Sequence, residues 1–106
     1  MKDILIEIDR LAKEELERAN KIHPMFHSNH EGYGVLQEEI TEARDEFVEV
    51  SGYDLLRAIM SNDEEDITEE ISTIRQDAQY AAAELIQVIA MCDKFIKSQE
   101  ERQNEN

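Results

Sequence analysis

The chain has 106 residues, 26 of them acidic and 11 Lys or Arg, giving a formal charge of −15. That length allows one domain with a modest core, and that charge argues against nucleic acid and anionic membrane surfaces as partners. Hydrophobic residues make up 41% and recur with a helical period, so the chain is expected to fold, and to be all-α.

The first helix is expected over residues 3–22, with Ile4, Ile8, Leu11, Leu16 and Ala19 on its apolar stripe and Pro24 stopping it. A connection through His23, His27 and Asn29 follows. Ser28-x-x-Glu31 is a capping-box pattern that opens a second helix over 29–50, which Ser51-Gly52 is expected to break. A short third helix over 53–60 carries Leu55, Leu56 and Ile59. A polar turn leads to a second capping box, Asp66-x-x-Glu69, and a long fourth helix over 66–98 with Ile67, Ile71, Ile74 and Ala78 on one face. Whether that helix is kinked near Ser72–Gln76 is open in the sequence. Residues 1–98 form the expected domain and 99–106 a polar, frayed tail.

The second helix contains an anomaly. Its apolar stripe is Val35, Leu36, Ile40, Ala43 and Phe47, yet at about 100° per residue Glu39 projects between Val35 and Ala43. Glu42 and Glu46 follow along the edge of the same stripe. The apolar run from Ala81 to Ile96 repeats the feature, with Glu84 on the face of Ala81, Val88, Met91 and Phe95, and with Asp77 one heptad earlier. A carboxylate inside a bundle is costly unless cations or hydrogen bonds compensate it, and converging carboxylates repel. A divalent ion such as Mg²⁺ is the simplest compensation, and facing helices of a bundle are a recurrent place for one. In a chain this acidic, the competing reading of Glu38, Glu39 and Glu42 is a solvated helix face.

The three histidines, His23, His27 and His30, have a spacing that could hold zinc if the loop folds back, but no cysteine accompanies them. No glutamate has a histidine three residues later, so a di-iron carboxylate pattern is lacking. Cys92 offers no disulfide framework and suits a reducing cytoplasm. No segment is apolar enough for a signal peptide or a membrane span, so a soluble, cytoplasmic protein is expected. The last helix is apolar on more faces than one bundle covers, which points to a homodimer or a dimer of dimers.

The order His30-Glu31-Gly32-Tyr33-Gly34-Val35-Leu36-Gln37-Glu38-Glu39-Ile40-Thr41-Glu42, followed by Glu84-Leu85-Ile86-Gln87-Val88-Ile89-Ala90-Met91 and Lys94-Phe95-Ile96, resembles the MazG-like all-α nucleoside triphosphate pyrophosphohydrolases. The resemblance covers most of 26–96 and is closest to small phage-type members. It implies a four-helix bundle-like architecture and Mg²⁺-dependent cleavage of a (deoxy)nucleoside triphosphate to the monophosphate and pyrophosphate, with Mn²⁺ an alternative ion. It further implies Glu39, Glu42 and Glu84 as metal ligands, with Gln87 where an aspartate is usual and Glu46 as an extra ligand or an acceptor for a group that binds the metal. Glu38 and Glu39 would be the catalytic residues, with the attacking water either metal-bound or oriented by Glu38. His30 and Tyr33 would contact base or sugar, and Lys94 and Lys97 would steady the phosphates, although both lysines also read as ordinary charges near a helix C-terminus. Phe26 could stack on a base or pack against the first helix. The alternative function is a non-catalytic helical oligomerisation or partner-binding module that has lost full metal ligation, and Gln87 is the residue that favours it.

Overall fold

The computed structural model describes the backbone of residues 1–60 and 66–104, and their side chains outside 46–59. It contains three helices, α1 (Lys2–Ile22), α2 (Asn29–Met60) and α3 (Thr68–Asn104), with no strand among the described residues. The all-α expectation therefore holds, with three helices instead of the expected four. α2 runs straight through Ser51-Gly52. A helical glycine costs only about 1 kcal/mol, which a long packed helix absorbs without breaking. α3 is unbroken and continues past 98 to Asn104, so most of the expected tail is helical.

Both expected caps exist. Glu31 N donates to Ser28 Oγ at 3.1 Å, as the capping pattern at α2 requires. At α3 the Asp66 carboxylate accepts from Thr68 N at 3.0 Å and from Thr68 Oγ1 at 2.6 Å, so Thr68 and not Glu69 supplies the donor. These bonds hold the Asp66 carboxyl below its usual range.

α2 and α3 form a long antiparallel hairpin. Its register is marked at one end by Asn29 Oδ1, which accepts from Gln99 and Arg102, and next to it by Gly32 against the Phe95 ring. α1 packs on α3, and the core lies where they meet: Leu16, Phe26, Ala90 and Met91, with Ala19, Val35, Leu36 and Phe95 around them. The buried residues of α1 are Ala12 and Leu16. Ile4, expected on the buried stripe, is 56% exposed, whereas Ile8, Leu11 and Ala19 are half-buried, so the stripe is used from Ile8 onward.

The loop between α1 and α2 is tied down at three points. Phe26 is buried with its ring edge-on to Phe95, centroids 5.8 Å apart at 70°. Phe26 N donates to Ser98 Oγ at 2.9 Å, and Ser98 Oγ donates to Lys94 O at 2.8 Å. Lys94 Nζ donates to His23 O at 3.0 Å and stands 4.9 Å from the Phe26 ring centroid. The molecule remains elongated, with a Cα radius of gyration of 18.3 Å against about 13 Å for a compact chain of this length.

Candidate metal centre

Glu39 and Glu42 stand one turn apart on α2, and Glu84 faces them from α3. One carboxylate oxygen from each lies within 4.8 Å of the other two. Glu39 and Glu84 are half-buried and Glu42 is exposed. One Glu39 oxygen, Oε2, is buried with no hydrogen-bond partner. Burial, and then the charges of Glu42, Glu84, Glu38 and Glu15, push the Glu39 carboxyl above the usual carboxylate range. An all-oxygen donor set of this span fits a hard divalent cation, whose ligand oxygens sit roughly 3–4 Å apart around it. Among the described residues no histidine or cysteine joins the group.

Beside the triad opens a cleft of about 450 Å³ between α1, the tethered loop and the hairpin. Glu39 and Gln87 lie in its wall, with Phe26, Val35 and Met91 supplying apolar surface and Glu15, Arg18, Glu31 and Lys94 the charges. The structure thus brings together Glu39, Glu42, Glu84 and, along the cleft, Gln87. Glu38 is exposed and outside both triad and cleft wall, acting on Glu39 only through its charge. His30 and Tyr33 are exposed and also outside the cleft wall. Lys94 lines the cleft but is only 3% exposed, and its ammonium is committed to the loop. Burial accordingly lowers its pKa, against a smaller opposing effect of Glu31. The side chain of Glu46 lies outside the described residues, as do those of Phe47, Leu55, Leu56 and Ile59.

Sequence reasoning missed Glu15, Arg18 and Glu31 as cleft residues. The i,i+3 spacing of Glu15 and Arg18 was visible, but nothing local says that this face of α1 turns toward α2. Comparison with known proteins finds no matching family model, no similar characterised protein and no similar solved structure. No helix among the described residues is long and apolar enough to cross a membrane.

Proposed function

We propose that this protein hydrolyses a (deoxy)nucleoside triphosphate to the monophosphate and pyrophosphate in the presence of Mg²⁺ or Mn²⁺. The observation that carries the reading is the convergence of Glu39, Glu42 and Glu84 beside a cleft with both apolar and charged walls. The resemblance to MazG-like pyrophosphohydrolases, which rests on these residues, supplies the reaction. Glu39, Glu42 and Glu84 would hold the cation, with the Gln87 amide as a neutral neighbour. A divalent ion bound there supplies charge neutralisation for the triphosphate and Lewis acidity at phosphorus. The chain itself contributes the placement: α2 and α3 fix the carboxylates on rigid helices, and Phe26, Val35 and Met91 offer an apolar wall to a base. Water adds at the α-phosphorus, the bond to the β-phosphate oxygen breaks, and pyrophosphate leaves.

Glu39→Gln removes charge without changing side-chain size. It should reduce pyrophosphate release at least 100-fold and abolish calorimetrically detected Mn²⁺ binding. Unchanged turnover in that variant would move the site elsewhere. Gln87 favours a second reading, a helical module that binds partners without catalysis. Absence of pyrophosphate release from all common ribo- and deoxynucleoside triphosphates would reject the enzyme and leave that second reading, whereas Gln87→Asp holding or raising turnover would support the enzyme.

The assembly belongs to the same proposal: a homodimer or dimer of dimers, joined through exposed apolar residues of α2 and α3 such as Ile40, Ile71 and Leu85.

A further inference from the structure

A chain of charge −15 repels any anion that approaches its acidic centre, so a phosphate-bearing ligand needs a local cation. Two long basic side chains line the cleft, Arg18 and Lys94. Lys94 is spent inside, on His23 O and the Phe26 ring. Arg18 differs in position. Its side chain is 63% exposed and reaches over Glu15, whose side chain is 22% exposed. Arg18 Nε donates to Glu15 Oε2 at 3.0 Å while Nη2 donates to Glu15 Oε1. Glu15 faces the same cleft, and its charge reaches Glu39.

We propose that Arg18 is the phosphate-binding residue of the cleft, held ready by Glu15 until an incoming phosphate displaces that carboxylate. The choice of a polyphosphate as the ligand rests on the function proposed above. A same-helix ion pair at i,i+3 on an exposed face is worth only a few tenths of a kcal/mol, so it is readily exchanged. The guanidinium fork that meets two carboxylate oxygens meets two phosphate oxygens equally well, and with more charge.

The test is calorimetric titration of the full chain with magnesium tripolyphosphate, which reads binding without turnover. Arg18→Ala should weaken binding tenfold or more. Arg18→Lys should weaken it less, keeping the charge and losing the fork. Glu15→Gln, which removes the competitor, should bind as tightly as the native chain or more tightly. Mn²⁺ titrated alone should bind the native chain and Arg18→Ala equally. Arg18→Ala binding tripolyphosphate within twofold of the native chain, with an unchanged helical circular dichroism spectrum, would overturn the proposal. So would Glu15→Gln weakening it as much as Arg18→Ala. Failure of the function reading is seen separately, in Mn²⁺ binding that does not depend on Glu39.

Discussion

Two glycines of α2 separate local propensity from long-range packing. Gly34 has open space where a Cβ would be, with nothing within 4 Å, so Gly34→Ala should stabilise the fold by up to about 1 kcal/mol through helix propensity alone. At Gly32 a Cβ would stand 2.5 Å from Phe95 Cε2 and under 3 Å from two more ring atoms. The Phe95 ring is itself held edge-on to Phe26, so Gly32→Ala should cost about 1–3 kcal/mol as overpacking. Urea unfolding of both variants checks the pair, and equal effects would contradict it. Legibility follows the same division. Glu39 could be read from sequence because its own helix makes a carboxylate there anomalous, and its partner Glu84 was found by the same rule on the other helix. Lys94 and Gly32 could not be read, because their reasons lie in His23 O and in Phe95, brought close only by the hairpin. A lysine near a helix end looks solvated until a loop is seen to close over it.

At the scale of elements, helix starts were legible and two helix ends, those of α2 and α3, were not. Ser28 and Asp66 announce α2 and α3 through short-range hydrogen bonds that the sequence spells out. The expected break at Ser51-Gly52 failed because one helical glycine costs only about 1 kcal/mol, too little to end a helix of 32 residues. The cap on α3 makes a prediction about pH. The folded Asp66 carboxyl has its pKa lowered, first by the Thr68 hydroxyl and then by the Thr68 backbone N–H. A lowered folded pKa contributes stability that is present above the unfolded value, about 4, and is lost as pH falls through the folded value. Asp66→Asn keeps an acceptor but cannot titrate. Thermal melts between about pH 2 and 5 should therefore show the native chain losing its advantage over Asp66→Asn progressively as pH falls below about 4. A difference constant across that window would mean that the cap contributes nothing ionic.

At the scale of the molecule, the surface is too large for the chain. The exposed area is 8152 Å², whereas a compact monomer of 12.3 kDa exposes about 6,100 Å². The excess, about 2,000 Å², exceeds the roughly 800 Å² that each partner contributes to an interface of standard size. Its location is physically intelligible. α1, with 21 residues, is about 31 Å long and covers part of a hairpin whose α3 has 37 residues and runs about 55 Å. Beyond α1, Ile71 and Met60 stay exposed, as does Leu85, on the side of α3 that carries Ile71. A second copy that lays the same faces together would bury them, and a closed two-fold arrangement needs no other partner. Light scattering at tens of micromolar (roughly the range in which a standard interface is saturated) should give at least twice the monomer mass. Leu85→Lys together with Ile71→Lys should lower that mass and, by mass action, the melting temperature as well. A native chain that scatters with the mass of a monomer would reject the assembly while leaving the glutamate triad, which lies within one chain, as a site to be tested on its own.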